Sequence, residues 1–303
     1  MTRAASVGRP LAGLIAAAAC GLVACGGCGP VGRDGTGLPS AAGRPGADAG
    51  STTDLASRFG VGRWVDLTHA FGADTIYWPT EKGFVLEREF AGPNSKGYYY
   101  AANRIVTAEH GGTHLDAPRH FAAGARTADQ IDVARLVGPA VVVDVTRQCA
   151  ADPAYEVGLD DLVAWERTHG RQLVDVIVLL RTGWGAKWPD REAYLGTAAT
   201  GPEAVAQLRF PGLAPAAARW LVDHRRIRAI GIDTASIDHG PSTHFGAHVA
   251  LCTAEVPVFE NVADLAALPA TGAFVAALPM KIAGGSGGPL RIVARLPDAD
   301  GGR

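Results

Sequence analysis

Three histidines and an aspartate fall within one short stretch, His110-Gly111-Gly112-Thr113-His114-Leu115-Asp116-Ala117-Pro118-Arg119-His120, in a chain of 303 residues that carries 9 histidines in all. Imidazole nitrogens and a carboxylate oxygen suit zinc, manganese or iron(II). His114 and Asp116 are two residues apart, so on an extended segment they point to the same side. Gly111 and Gly112 permit a turn that swings His110 round to the same point. Pro118 stiffens the exit, and His120 arrives close enough to belong to the site without being a ligand. A histidine beside a metal centre is suited to proton transfer near neutral pH. As a structural core the same residues would be costly, because buried imidazoles and carboxylates without partners lose their hydration.

Other elements must position these side chains. The apolar runs Val141–Val145, Val174–Leu180 and Ile227–Ile232 have strand length and composition. Between them, Asp160 to Arg167 reads as a helix with a capping aspartate and a stop near Gly170. Pro215 to Arg226 reads as a second helix, with proline in its first turn. This alternation predicts an α/β fold with parallel pairing in part of the sheet. The region from Trp64 to His110 is rich in aromatics and turn residues and has no long helix. Ala273–Leu278 and Leu290–Leu296 are two further strands, joined by a glycine-rich link from Lys281 to Pro289. There is no internal repeat, and one domain over 54–298 with a tail at 299–303 is the economical division.

The net charge of -2 and the charged fraction of 19% make no electrostatic case for nucleic acid or for an anionic membrane surface. The first 24 residues have the form of a signal peptide, with Arg3 and Arg9 before an apolar stretch from Leu11 to Ala24 that is short for a membrane span. Leu22-Val23-Ala24-Cys25 resembles a bacterial lipobox, which implies cleavage before Cys25 and its lipidation. Cys20 is the weaker candidate. Residues 25–53 then form a lipidated, Gly/Pro/Ala-rich tether, and the expected location is the cell envelope, extracytoplasmic and lipid-anchored, or secreted or periplasmic without the lipid. Cys28, Cys149 and Cys252 remain, an odd count with no disulfide framework and no thiolate zinc site. Cys25 and Cys28 have CxxC spacing but sit in the tether.

The stretch from His110 to His120 resembles the signature of the cyclase family of metal-dependent hydrolases, which includes bacterial kynurenine formamidases and isatin hydrolases. The similarity runs through most of 60–296. It implies a single domain of swivelling β/β/α type, with a mixed sheet and flanking helices. It implies His110, His114 and Asp116 as metal ligands and His120 as proton donor and acceptor. From a later segment it adds His248, beyond Asp238-His239-Gly240-Pro241, and Glu260 in Phe259-Glu260-Asn261. By their own surroundings, His248 opens a short helix and Glu260 ends the strand-like Val256–Phe259. The ion is zinc or manganese, and whether there are one or two depends on His248 and Glu260.

Gly231 to Asp238, Phe259 to Val262, and Leu278 to Ile282 leading into Gly284–Pro289 resemble the isatin hydrolase branch more than the compact formamidases. The glycine-rich loop either presses backbone amides against a substrate oxygen, with Ser286 as a substrate-binding residue, or is a tight turn between strands. Members of the family wall the pocket with an aromatic near Trp78, so the resemblance makes Trp78 and Phe71 candidates for a wall suited to a flat substrate. The run Tyr98-Tyr99-Tyr100 reads better as core or dimer interface, and the resemblance implies a homo-oligomer. His244 departs from the family pattern, where a carboxylate is common. Four residues before His248, it would share that helical face, as an extra ligand, a partner behind the ligands, or an exposed residue, the last two being favoured. His69, His169 and His224 are read as surface or structural, and His239 as a rim residue.

The expected activity is metal-dependent hydrolysis of a C–N bond in a cyclic or aryl amide, an isatin-hydrolase-like ring opening through a metal-activated water. The alternatives are an arylformamidase acting on an N-formylkynurenine-type substrate, and a non-catalytic lipid-anchored small-molecule-binding protein. The intact His120 argues against the binder, which needs no proton shuttle. A serine hydrolase is a weak rival: no Gly-x-Ser-x-Gly elbow is present, and no base pairs with Ser286 in the sequence.

Overall fold

Period-two burial along a few short apolar strands sets the architecture. A computed structural model describes residues 62–296. The signal segment, Cys25, the tether and the tail lie outside these residues. In chain order the strands are β1 (Trp64–Asp66), β2 (Val85–Pro93), β3 (Tyr99–Val106), β4 (His114–Asp116), β5 (Val137–Asp144), β6 (Glu156–Val157), β7 (Ile177–Arg181), β8 (Gly212–Leu213), β9 (Ala229–Ile232), β10 (Val258–Glu260), β11 (Ala273–Pro279) and β12 (Gly287–Arg295). Three helices bear on the site: α1 (Leu159–His169), α2 (Pro215–Trp220) and α3 (Gly246–Thr253).

The main sheet runs β1-β12-β11-β5-β7-β9-β10-β4, and β4 also pairs with β12. That last pairing closes β12, β11, β5, β7, β9, β10 and β4 into a seven-stranded barrel. β5, β7, β9 and β10 are parallel, while β4 and β11 are antiparallel to their neighbours, so the sheet is mixed. This is the mixed α/β single-domain fold the sequence implies, with the added feature that the sheet closes.

Alternate residues of each strand go to two cores. Val142, Leu179, Phe259, Leu115, Val275 and Ile292 fill the barrel interior. Val141, Val143, Val178, Leu180, Ile230 and Ile232 face outward, under Leu162 and Trp165 of α1, Ala217 of α2 and Leu251 of α3. Gly231 takes an inward position where a Cβ would lie 2.8 Å from Leu179 Cδ2, so the crowded interior requires its absence.

Boundaries differ from expectation for local reasons. β7 starts at Ile177 rather than Val174, because Asp175 has φ +55 and breaks the extended run. The second predicted helix is α2 followed by a wider-wound turn at Leu221–Arg225. α1 ends at the left-handed Gly170, as predicted. β12 begins at Gly287 rather than Leu290, since Gly287–Pro289 pair with β4. The aromatic region before His110 forms the long β2–β3 hairpin, and Tyr98, Tyr99 and Tyr100 are 56%, 70% and 52% exposed on it. The core reading of these tyrosines therefore fails: a two-stranded ribbon has no second layer to bury them. Among the described residues no helix is long and apolar enough to cross a membrane.

Candidate metal centre and active site

β4 carries the first candidate ligands in register with β10: His114 lies opposite Glu260, Leu115 opposite Phe259, and Asp116 opposite Val258. Leu115 and Phe259 are buried in the barrel. The strand alternation then turns His114, Asp116 and Glu260 together onto the outer face, where α3 brings His248 over them. His114 Nε2 lies 3.3 Å from Asp116 Oδ1 and 3.5 Å from Glu260 Oε2. His248 Nε2 lies 3.2 Å from Asp116 Oδ2 and 3.1 Å from Glu260 Oε1. His110 Nδ1 approaches Asp116 Oδ1 at 2.6 Å. Asp116 thus stands between the imidazoles of three different elements.

The two glycines after His110 are required by close approach. A Cβ on Gly111 would lie 2.1 Å from the Tyr77 ring, and one on Gly112, at φ +56, would lie 2.7 Å from Phe71.

Donor atoms of His114, Asp116 and Glu260 lie within 4.8 Å of one another, all buried, and those of His110, Asp116 and His120 form a second such group. The electrostatics fit a cation. Burial opposes charge on His114, yet Asp116 and Glu260 outweigh it and lift the imidazole to about 9. Burial likewise opposes charge on His248, but hydrogen bonds to Asp116, Asp238 and Glu260 hold it well above its ordinary value. Against its own burial, Asp116 is held well below the usual carboxylate range by these imidazoles. Glu260 is pushed up by burial and by Asp116. Two buried carboxylates converge here with no Lys or Arg against them among the described residues, so protonated imidazoles supply the positive charge that a divalent ion would otherwise provide.

The surrounding bonds fix each ligand's orientation. His114 Nδ1 donates to Gly112 O at 2.9 Å, which leaves Nε2 facing the carboxylates. The Asn261 amide donates to the same carbonyl at 2.7 Å, and Tyr194 OH donates to Asn261 Oδ1 at 2.8 Å. Asp238 accepts from His248 Nδ1 at 2.7 Å and from the Ala247 and His248 backbone amides. It therefore orients the imidazole and caps the start of α3. Sequence reasoning missed Asp238 and Asn261 as site residues. A signal existed for both: an aspartate before the Gly-Pro turn leading into the helix, and an asparagine directly after the ligand, held at φ +52.

His120 lies on a short 3-10 turn, Pro118–His120, with its ring stacked on His110 at 3.8 Å. One face is packed and the other opens to the cavity. Packing pulls its pKa down to about 4, with Asp116 opposing and the neighbouring imidazoles reinforcing the shift. Water at the open face moderates this, and the ring is neutral at pH 7 in either case.

The cavity above this cluster is about 230 Å³. Its apolar walls are Ile76, Trp78, Phe121 and Phe245. His110, His114, His120, His248 and Glu260 form its floor, and Ser236, Asn261 and Glu81 add polar atoms. Trp78 is thus a wall residue. Phe71 is not among the residues lining this cavity; it packs behind Gly112 and against Phe84. Ser286 does not line it either: its hydroxyl lies between His110 Nε2, at 2.9 Å, and Glu109 Oε2, at 2.5 Å. Ser286 does have an imidazole partner, contrary to the sequence reading. Its proton goes to a carboxylate that can only accept, so it is not set up as a nucleophile.

His244 is exposed and precedes α3, because Phe245 at φ +48 starts the helix after it, so it does not share the His248 face. His239 lies 3.4 Å from Glu156, away from the cavity. His169 and His224 pack against Trp165 and Trp220. His69 stacks on Trp188 at 4.1 Å, with burial lowering it to about 4.

Comparison with known proteins agrees with this geometry. The putative cyclase family model matches residues 65–239. Isatin hydrolase of Roseibium aggregatum is 35% identical over 214 residues, covering 68% of this chain and 79% of that one. Kynurenine formamidase of Bacillus mycoides is 27% identical over 233 residues, covering 77% and 97%. Among solved structures, isatin hydrolase A from Labrenzia aggregata bound to benzyl benzoate superposes with a TM-score of 0.72 at 33% identity, covering 80% of this chain and 98% of that one. With a barrel that turns histidines and carboxylates onto one face beneath an aromatic cavity, the chain belongs to the cyclase family and is a metal-dependent hydrolase.

Proposed function

We propose that this protein opens a neutral cyclic amide of the isatin type by hydrolysing its C–N bond. The observation that carries the proposal is the cavity: aromatic walls at Trp78, Phe121 and Phe245 lead down to the histidine–carboxylate floor, and no Lys or Arg lines it among the described residues. A flat, uncharged ring fits such walls. The amino-acid head group of N-formylkynurenine carries a carboxylate, which finds no cationic partner among the lining residues. That difference favours the isatin-type reaction over the formamidase-type one.

His110, His114, Asp116, His248 and Glu260 would hold the metal, zinc or manganese. When bound, a divalent cation acidifies water and polarises a carbonyl. The chain's own residues do the rest. The aromatic walls orient the ring and exclude bulk water. Neutral His120 accepts the proton released from the attacking water at a ring nitrogen and delivers it to the departing amide nitrogen. The C–N bond breaks, the carbonyl carbon gains the hydroxyl, and the product is an arylamine with a free carboxylate.

The test is turnover of isatin and of N-formylkynurenine by manganese- and zinc-loaded protein, beside His120→Ala. Isatin turnover that falls about 100-fold or more in His120→Ala, with metal retained, is expected. Turnover of the formyl substrate alone would replace this proposal with the arylformamidase. Metal binding without turnover of any lactam, lactone or aryl amide would favour the binding protein.

Two wider proposals accompany it. The lipobox-like sequence at Cys25 supports anchoring in the cell envelope, which incorporation of a labelled fatty acid, abolished by Cys25→Ser, would test. The exposed apolar β2–β3 hairpin supports a homo-oligomer.

A further inference from the structure

The glycine-rich loop before β12 does not face the cavity. Its backbone closes around Glu109 and His110 instead. Ser286 N donates to Glu109 Oε2 at 3.0 Å and Ser286 Oγ donates to the same oxygen at 2.5 Å. A Cβ on Gly285 would lie 2.7 Å from Glu109 Oε1, and one on Gly287 would lie 2.6 Å from His110 Cε1. The glycines are therefore where the loop must press against this pair of side chains.

We propose that Glu109 and Ser286 are positioning residues that hold His110 with its proton on Nε2, so that Nδ1 is the atom it offers to the divalent cation. This rests on the metal-dependent reading above and adds two residues that do not touch the ion. The argument is a count of protons. The Ser286 hydroxyl has one hydrogen, and the short bond to a carboxylate takes it. Toward His110 the same oxygen can then only accept. The 2.9 Å contact with His110 Nε2 therefore requires the hydrogen to sit on Nε2. With Nε2 so engaged, Nδ1 is the atom His110 turns toward Asp116, 2.6 Å from its Oδ1. In metal-free protein an Nδ1–H donates to that carboxylate, and a cation held by both atoms takes the place of that proton. Glu109 and Ser286 thus fix the tautomer from behind, as a carbonyl does for His114 and Asp238 does for His248.

The reverse arrangement is also defined. In Glu109→Gln the side-chain amide can donate to Ser286 Oγ, which frees the serine hydrogen for His110 Nε2 and drives the imidazole proton to Nδ1. Ser286→Ala removes the link, and Ser286→Thr keeps a hydroxyl.

The experiment uses the full chain. Dissociation constants for Mn2+ and for Zn2+ are measured by chelator competition, and the side-chain 15N shifts of His110, assigned with His110→Gln, are recorded on zinc-loaded protein. The expected results are an Nε2–H pattern in the wild type and affinities about 10–100-fold weaker in Ser286→Ala and Glu109→Gln. Ser286→Thr should return toward wild type, and the metal-free melting temperatures should be little changed. An Nδ1–H pattern in the zinc-loaded wild type overturns the proposal whether or not the variants fold. Wild-type affinity in both variants also overturns it. A wild type that binds neither ion overturns the hydrolase reading along with it.

Discussion

Asp238 shows how one side chain sets the chemistry of another. It takes the Nδ1 proton of His248 and caps the helix that carries that ligand. Asp238→Ala should weaken metal binding about 10–100-fold, the usual cost of removing such a partner, as measured by chelator competition. Asp238→Asn should lose less, since its side-chain oxygen can still accept. The histidines also fix the pH response. His114 is raised to about 9 in metal-free protein, and His248 is raised too. A proton must leave each before it can bind a cation, so the metal should bind more weakly as pH falls and more tightly as pH rises toward 9. Dissociation constants at pH 6, 7, 8 and 9 check the sign, and an affinity independent of pH would contradict it.

At the scale of elements, β4 is a three-residue strand that does two jobs. Leu115 anchors it in the barrel while His114 and Asp116 face out. It is gripped on both edges, by β10 and by β12, which is why so short a strand is held in register. The β2–β3 hairpin is the opposite case. It is long and, among the described residues, paired only with itself, and Leu86, Tyr99 and Ile105 on it are 58%, 70% and 47% exposed. A two-stranded ribbon is marginal in water unless something packs on it. The expectation is that a second copy of the chain does so. Tyr99→Ser combined with Leu86→Ser should then shift the mass measured by light scattering toward the monomer. A wild type that is already monomeric at micromolar concentration would remove this expectation.

At the scale of the whole molecule, barrel closure and site assembly are one event. Phe259 is wholly buried in the barrel, directly before Glu260. Phe259→Ala should cost about 3–5 kcal/mol, seen as a lower melting temperature in metal-free protein. Because the cavity it leaves loosens the β10–β4 register, metal affinity should fall as well. An unchanged affinity at reduced stability would show that the ligands are held independently of the barrel.

The local features were legible in the sequence because they are governed by spacing. Histidines and an aspartate two and four residues apart, glycines that admit close approach, apolar strand runs and a glycine that ends α1 are all short-range statements. What the spacing could not carry was anything that depends on which strand lies beside which. Phe71 sits behind Gly112 rather than in the cavity, His244 falls just ahead of the helix that carries His248, and Ser286 serves His110 rather than a substrate. Asp238, Asn261 and Glu109 acquire roles only once β10, α3 and the loop before β12 are brought against β4. The sequence by itself determined the His110–Asp116 cluster and the strand periodicity, since both are properties of neighbouring residues, while His248 and Glu260 came only with the family resemblance. The tertiary structure alone decided the barrel's closure, the meeting of His248 and Glu260 with Asp116, and the partner that each imidazole meets on its far side. Those follow from contacts between segments more than 100 residues apart, such as His248 with Asp116.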